Sequence, residues 1–384
     1  MEAYLDNSAT TRCSQRVLQI VHKTMDIDYG NPSSLHKKGM ESEKYVKNAA
    51  ACIAKTLKVS EKEIYFTSGG TESNNLAVIG AAMANRRSGR RLVTTQIEHP
   101  SVQNAMAFLE GQGFEIIALP VDGSGRLSLD ALRGAVNHET ILVSIMQVNN
   151  EVGSVQPLKE ASDIIHEQNP KTLIHVDAVQ SYGKMHIRPK KLGIDMLSAS
   201  GHKIHAPKGV GFLYIKEKTK IKPILFGGGQ QLGLRSGTHN VPGIAALGEA
   251  ACEAYENIEA KIEHMYSLRD RLITGLSQME GTVINGSLGH DSAPHIVNAS
   301  VTGIRSEVLL HALEERDIYV SAGSACSSHK QTASGTLLAM HIDPALLESA
   351  VRFSFSSHTQ ESEIDYTISA LEEIIPRLRR YARF

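Results

Sequence analysis

The sequence predicts an α/β fold divided into two domains. Its 384 residues exceed the usual size of one domain, and 41% of them are apolar, which is enough to form a core in each. From about residue 60 to 225, short β-rich runs alternate with helical patterns, and one run reads Ile-Leu-Val-Ser-Ile at residues 141–145. This alternation, with strands that are apolar along their whole length, is typical of a mostly parallel sheet covered by helices on both faces.

Seven β-rich runs and three helical patterns make up the larger predicted domain. The runs cover residues 63–66, 91–97, 115–120, 140–148, 172–176, 196–199 and 211–215, and the helical patterns cover residues 73–83, 101–110 and 158–168. Because strand and helix alternate along the chain, we expect a mostly parallel, seven-stranded sheet.

A long helical pattern leads out of this domain. Apolar residues recur with three- and four-residue spacing from residue 249 to 279, which predicts one continuous helix. Beyond it we expect strands at 295–301, 318–321 and 350–356, with helices at 306–316 and from about residue 360. These sparser elements predict a smaller α+β domain. The predicted division is a large domain of residues 15–250 and a small domain of residues 1–14 and 251–384.

The charge balance argues against nucleic acid and membranes as partners. The chain has 40 Lys plus Arg against 41 Asp plus Glu, a net charge of −1, so no global field attracts a polyanion. No uncharged apolar stretch approaches the ~18 residues of a membrane span. Met1 is followed by Glu2 and Asp6 without a basic and then apolar stretch, so we expect no secretory signal and a cytoplasmic protein.

The four cysteines show no spacing that suggests a zinc site or a disulfide framework. Cys52 and Cys252 lie in apolar helical stretches, where a small buried hydrophobic residue is the expected role. Cys13 is undecided. Cys326 differs from the others, because it lies among the small residues of Ser-Ala-Gly-Ser-Ala-Cys-Ser-Ser at 321–328, a composition that predicts a loop.

Three segments of the large domain carry residues suited to chemistry. Thr-Ser-Gly-Gly-Thr-Glu-Ser at 67–73 follows a strand and opens a helix, where backbone N–H groups can bind phosphate, although such a turn is also an ordinary connection. It lacks the P-loop spacing. Asp177 ends a buried strand, where a carboxylate needs a cationic partner or a helix to cap. Lys203, in Ser-Gly-His-Lys at 200–203, suits a Schiff-base lysine.

Together these segments resemble the cysteine desulfurases, the NifS- and IscS-like branch of the class V aminotransferases. The matching segments are 4–11, 30–34, 66–75, 98–99, 148–151, 175–180, 200–211, 235–238, 321–327 and 352–354. The resemblance implies the fold type I architecture of enzymes that use pyridoxal 5'-phosphate (PLP), with Lys203 as the Schiff-base lysine. It also implies that Lys203 moves the substrate's Cα proton, that Asp177 pairs with the pyridinium N–H, that Gln180 bonds the ring hydroxyl and that His99 stacks on the ring.

The resemblance also implies how the phosphate and the substrate are held. The implied phosphate ligands are Gly70, Thr71, Ser200 and His202, joined by Thr238 from the second subunit of a homodimer. Asn150 is implied to lie beside the ring. Asn31, Asn150 and Arg352 are implied to contact the substrate, L-cysteine, and Arg352 suits its carboxylate as a bidentate partner.

By the same resemblance, Cys326 is the nucleophile. Its thiolate is implied to attack the substrate's sulfur, which leaves L-alanine and a persulfide that passes to an acceptor protein. An iron–sulfur scaffold, a tRNA-thiolation protein and a thiamine or molybdenum cofactor pathway are all open as acceptors. His329 and Lys330 are candidates to favour the thiolate form.

Three alternatives remain at this stage. A selenocysteine lyase or another class V aminotransferase would share Lys203 and Asp177 without needing Cys326 as a sulfur acceptor. A PLP-binding scaffold or sensor without turnover belongs to a different class, and formation of alanine from cysteine would exclude it. The 17 His residues suggest a metal-binding module, but the spacing of His202 and His205 falls inside the PLP motif, so we predict no metal site.

Overall fold

The computed structural model describes residues 1–322 and 334–381 as three β-sheets packed against helices. The strands are β1 (Ala3–Tyr4), β2 (Ile64–Thr67), β3 (Arg91–Thr95), β4 (Glu115–Leu119), β5 (Thr140–Met146), β6 (Leu173–Asp177), β7 (Met196–Ser200), β8 (Gly211–Ile215), β9 (Thr282–Asn285), β10 (Ile296–Val301), β11 (Ile318–Tyr319), β12 (Ser321–Ala322) and β13 (Ala350–Ser354).

The helices lie between these strands and at the two ends. They are α1 (Gln15–Asp26), α2 (Lys37–Leu57), α3 (Gly70–Asn85), α4 (Pro100–Glu110), α5 (Leu129–Ala135), α6 (Leu158–Gln168), α7 (Pro189–Leu192), α8 (Val241–Tyr255), α9 (Ile258–Ser277), α10 (Ser306–Glu314), α11 (Gly335–Ala339), α12 (Pro344–Leu347) and α13 (Glu361–Tyr381). None of the helices in the described ranges is long and apolar enough to cross a membrane.

The central sheet confirms the predicted fold class. Its strand order is β2-β8-β7-β6-β5-β3-β4, and only β8 runs antiparallel to its neighbours. Adjacent residues of a strand point to opposite faces, so Val143 packs into the core with α2 and α8 while Leu142 packs into the core with α3 and α4. Both faces are therefore covered, as the apolar strands predict.

A separate core lies between the smaller elements. Strands β12, β13, β10 and β9 form a four-stranded antiparallel sheet, and β1 pairs with β11 in a two-stranded parallel sheet. Buried residues such as Leu268 and Phe353 pack there with Ala3 and Leu5 at the start of the chain, whereas Ala251 belongs to the large core. Ala251 lies one residue beyond the predicted end of the large domain, and the division at residues 14 and 250 stays a prediction.

The predicted helix over 249–279 is wrong as a single element. The chain leaves the helical conformation at Glu256 and Asn257, so that α8 ends at Tyr255 and α9 begins at Ile258. Asn257 has φ +53°, in the left-handed region that Asn tolerates better than most residues. Because the apolar spacing continues across the break, the periodicity alone does not reveal it.

The interpretation of two cysteines also needs correction. Cys52 of α2 and Cys252 of α8 form a disulfide with a Cα–Cα distance of 6.1 Å, and both residues are only half-buried. They are therefore a covalent link between two helices rather than two small core residues. Helices α2 and α8 can approach closely because Gly248 lacks a side chain: a Cβ there would lie 2.6 Å from Ala49 Cα.

Candidate active site

Ten of the predicted site residues line one cleft beside the ends of β6 and β7. The cleft has a volume of about 370 Å³. The ten are Gly70, Thr71, His99, Asn150, Asp177, Gln180, Ser200, His202, Lys203 and Arg352. The carboxyl ends of parallel strands are the usual ligand-binding edge of an open α/β sheet, so the strand order of the central sheet explains why residues far apart in sequence meet here.

Asp177 ends β6 and is buried, with 5% of its surface exposed. One carboxylate oxygen accepts the Val179 N–H at 2.9 Å, and the other accepts the Asn74 side-chain amide at 2.7 Å. Burial raises the pKa of Asp177, although these two donors and the charges of His99 and Lys203 oppose the shift. A cationic partner would therefore stabilise the charged form.

Lys203 lies in the short turn that follows β7. Its ammonium donates to two carbonyl oxygens near the start of the chain, Ser8 at 2.5 Å and Ala9 at 2.6 Å. The residues that position Lys203 therefore include an N-terminal segment to which the sequence assigned no role. Both Ser8 and Ala9 line the cleft.

His99 and Gln180 supply an imidazole and an amide to the cleft. His99 caps α4, and its Nδ1 accepts the Ser101 N–H at 3.1 Å. Burial lowers the pKa of His99, and the nearby carboxylate of Asp177 opposes this shift. The Gln180 side-chain amide donates to Ser8 O at 3.0 Å, while its Oε1 is buried with no hydrogen-bond partner among the described residues.

The N-terminus of α3 forms another part of the cleft. Gly69 precedes the helix with φ +151°, and a Cβ on Gly70 would lie 2.7 Å from Val179 Cγ2, so both positions need glycine. The first N–H groups of a helix have no intrahelical partners and attract anions. Ser200 and His202 line the same cleft, and burial, with Lys203 nearby, lowers the pKa of His202 to about 4.

Arg352 lies on β13 of the small sheet and is 6% exposed. Its guanidinium donates to Asn150 O at 2.8 Å and pairs with Asp6 at 2.8 Å. Its Nε is buried without a hydrogen-bond partner in the described part of the chain. The Arg352 guanidinium is thus held in the cleft from two sides, and Asp6 is a second N-terminal residue at the site.

Three predicted site residues do not join this cleft. Asn31 and Thr238 are exposed and do not line it. Cys326 lies outside the described residues. Of the residues that do line the cleft, Asn74 and Ser101 received no predicted role, although Asn74 follows Thr71 by three positions, the spacing that places two residues on one helix face.

Comparisons with known proteins agree over almost the whole chain. A model of the class V aminotransferase family matches residues 3–367. The cysteine desulfurase IscS of Methanosarcina thermophila is 43% identical, covering 98% of this chain and 92% of its own length. Cysteine desulfurase 1 of Trichormus variabilis is 41% identical, and the match covers 99% of this chain and 94% of its own length. A solved NifS-like protein is 39% identical with a TM-score of 0.92, over 98% of this chain and 100% of its own.

A solved structure described as SspA in complex with cysteine is also similar, with 32% identity and a TM-score of 0.81 over 93% of this chain and 100% of that one. The chain belongs to the class V aminotransferase family. Within that family it belongs with the NifS- and IscS-like cysteine desulfurases, as the near-complete coverage at about 40% identity shows.

The family implies PLP as the cofactor, and the residues of the cleft fit it. The buried carboxylate of Asp177 suits a protonated ring nitrogen, and the unpartnered Oε1 of Gln180 suits a ring hydroxyl. The N-terminus of α3, with no side chain at Gly69 or Gly70, leaves room for a phosphate. Within the described ranges, no cluster of His, Cys, Asp and Glu suits a metal ion.

Proposed function

We propose that this protein is a PLP-dependent cysteine desulfurase, which converts L-cysteine into L-alanine and a persulfide. The observation that carries the proposal is one cleft that combines Lys203, Asp177 and Arg352. These three side chains supply an amine, a carboxylate for a ring nitrogen and a guanidinium for an amino-acid carboxylate. The identity of the relatives agrees with this chemistry.

PLP would be held at several points of the cleft. Asp177 would pair with the ring nitrogen, Gln180 with the ring hydroxyl, and His99 would lie against the ring. Lys203 would form the Schiff base with the cofactor. The phosphate ligands would be Gly70, Thr71, Ser200 and His202, with Thr238 from a second subunit. When bound, PLP withdraws electrons from the bonds at the substrate's Cα.

Arg352 would bind the substrate carboxylate. Its guanidinium faces the cleft beside Asn150, and a bidentate pair with a carboxylate would fix the substrate's orientation. The carboxylate of Asp6 pairs with the guanidinium of Arg352 at an N–O distance of 2.8 Å, so the substrate carboxylate would compete with Asp6 for it. Lys203 would then accept the Cα proton, because its amine lies in the same cleft.

Cys326 would receive the sulfur. Its thiolate attacks the substrate's sulfur, so an S–S bond forms while the substrate's C–S bond breaks and the electron pair remains with the carbon. Protonation of that carbon gives the methyl group of alanine. The persulfide sulfur would then pass to an acceptor such as an iron–sulfur scaffold or a tRNA-thiolation protein. The support for this step is the sequence around Cys326 together with the relatives.

A homodimer would complete the site. Thr238 is exposed and lies 12 residues after Phe226, which is 80% exposed, with Leu232 between them at 89%. Exposed large apolar side chains in one segment are typical of a protein interface. An interface there would explain how Thr238 could serve a cleft that it does not line in its own chain.

The proposal is tested by three variants of the purified holoenzyme. We expect wild-type protein to form alanine from cysteine. Lys203→Ala should lose both turnover and the visible absorption of the Schiff base. Cys326→Ser should keep the absorption but lose persulfide formation, while the matched control Cys13→Ser should behave as wild type. Unchanged sulfur release by Cys326→Ser would favour a lyase or aminotransferase instead, and absence of alanine from wild-type protein would contradict catalysis of this reaction.

A further inference from the structure

Asp6 is a carboxylate in the cleft that the proposed reaction does not use. Its side chain is 21% exposed and pairs with the Arg352 guanidinium at 2.8 Å. Both residues line the cleft. Because Arg352 would bind the substrate's α-carboxylate, a second carboxylate on the same guanidinium does not help it to do so. An acid kept in this position therefore calls for an explanation.

The backbone holds Asp6 beside Arg352. The N-terminal segment runs alongside β13, where Asp6 forms an isolated bridge with Ser354, two residues after Arg352. The Ser354 N–H donates to Leu5 O at 2.7 Å, and Ser354 O accepts the Asn7 N–H at 3.2 Å. The Asn7 side-chain amide also donates to Ser354 O, at 3.1 Å. The residues on both sides of Asp6 are thus bonded to the strand that carries Arg352, so the fold itself places the carboxylate in the cleft.

The cleft contains few positive charges. Among the described residues that line it, Lys203 and Arg352 are the only Lys or Arg side chains. Burial lowers the pKa of His99, and it lowers the pKa of His202 to about 4. The positive charge of the cleft therefore depends mainly on Lys203 and Arg352.

The proposed reaction already assigns a role to both of these cations. Lys203 would form the Schiff base, and its amine must be neutral when it accepts the Cα proton. Arg352 pairs with Asp6 and would bind the substrate's α-carboxylate. PLP would balance Asp177 through its ring nitrogen, but its phosphate adds negative charge. The described part of the cleft therefore offers no further cation for a second anionic group on the substrate.

We propose that Asp6 is a specificity-determining residue that excludes amino acids with anionic side chains, an inference that rests on the proposed function. Whether or not the substrate displaces Asp6 from Arg352, the Asp6 carboxylate remains in the cleft. It repels a negative side chain there more strongly than it would in bulk water, because the protein lowers the effective dielectric constant. The thiol of L-cysteine, with an ordinary pKa of about 8.5, is mostly neutral at neutral pH and avoids this repulsion.

The test compares L-aspartate with L-asparagine, which have nearly the same shape and the same α-carboxylate but differ in side-chain charge. Each is titrated into the PLP-loaded protein at neutral pH, and the change in visible absorption gives the half-saturating concentration. Wild-type protein should need more aspartate than asparagine. Asp6→Asn removes the repelling charge, so the ratio of the two concentrations should fall by about tenfold.

The ratio separates the charge of Asp6 from its effect on the position of Arg352. A shift of Arg352 changes the binding of the shared α-carboxylate, so it affects both amino acids alike. Asp6→Glu keeps the charge and should keep the discrimination. The matched control Glu2→Gln removes a negative charge from an exposed position of the same segment, outside the cleft, and should leave the ratio unchanged. Thermal unfolding verifies the fold of each variant, and Asp6→Ser replaces an Asn variant that does not fold.

A ratio that falls in Asp6→Asn and persists in Asp6→Glu supports the proposal. The same ratio in wild-type protein and Asp6→Asn overturns it, as does equal binding of the two amino acids by wild-type protein or an absorption change with neither. Failure of the proposed function is a separate result. It would appear as absence of alanine when wild-type protein is given L-cysteine, whereas the ratio of the two probes requires no sulfur transfer.

Discussion

At the scale of single residues, the site depends on buried groups whose protonation is set by their surroundings. Glu98, beside His99, is 3% exposed, and one carboxylate oxygen accepts the Met146 N–H at 2.8 Å and the Thr95 hydroxyl at 2.7 Å. The other oxygen has no partner among the described residues. Burial, with a smaller contribution from the charge of Asp177, raises the pKa of Glu98 to about 8. It is therefore a protonated acid at neutral pH.

Glu98 should make the stability of the protein pH-dependent. The folded protein holds a proton that the unfolded chain releases above its ordinary pKa of 4.5, so the free energy of unfolding should fall as pH rises from there to about 8. Glu98→Gln cannot titrate, and its slope should be shallower by at most about 1.4 kcal/mol per pH unit. Urea unfolding of the cofactor-free protein across this range measures the slope, and equal slopes would contradict the assignment.

The sequence predicted which side chains line the cleft better than it predicted their hydrogen-bond partners. Asp177 and Lys203 stand in short, specific motifs, and the family resemblance implies their pairing with a cofactor. By contrast, Lys203 donates to the backbone carbonyls of Ser8 and Ala9. A carbonyl is common to every residue, so the sequence carries no signal for such a contact.

At the scale of elements, the strands of the central sheet could be predicted from the sequence, whereas the break between α8 and α9 could not. Apolar runs such as 140–148 set the strands of the central sheet, because both faces of β5 are buried. The break between α8 and α9 depends on one left-handed residue, Asn257, within continuing apolar spacing. The Cys52–Cys252 disulfide depends on the packing of two helices, and its two cysteines are 200 positions apart in the chain.

The disulfide should stabilise the packing of α2 on α8. Closing a loop of this length lowers the entropy of the unfolded chain by an amount equivalent to about 5 kcal/mol at most. A reducing agent should therefore lower the unfolding midpoint of wild-type protein. Cys52→Ser should unfold at that lower midpoint with or without the reductant, whereas Cys13→Ser should respond as wild type does. A midpoint that is insensitive to reduction in wild-type protein would show that the link contributes little.

At the scale of the whole molecule, the residues that line the cleft come from elements of both cores. Asp177 ends a strand of the large sheet and Lys203 lies in the turn after β7. Arg352 lies in the small sheet and pairs with Asp6. The alternation of strands and helices predicts the large core, but only the family resemblance joins Thr238 to the site. The pattern of one sequence does not indicate which residues a second chain contributes to the site.

Mixed dimers test the proposed contribution of Thr238. Lys203→Ala and Thr238→Ala chains, each with low activity at limiting PLP, should regain activity when mixed, because one site of each hybrid then combines an intact Lys203 with an intact Thr238 from the other chain. The matched control mixes Lys203→Ala with Asp177→Ala, whose hybrids have a lesion in both sites. If the two mixtures are equally inactive, Thr238 does not act across the interface.

The ion pair between Asp6 and Arg352 has a consequence for how the protein is made. The two residues are 346 positions apart. At a translation rate of roughly 5 to 20 residues per second, the N-terminal segment leaves the ribosome roughly 15 to 70 s before its partner is synthesised. During that interval Ala3 and Leu5 have no core to enter, because the strand beside them is still to come. The start of this chain therefore stays without its native contacts until most of the chain has been synthesised.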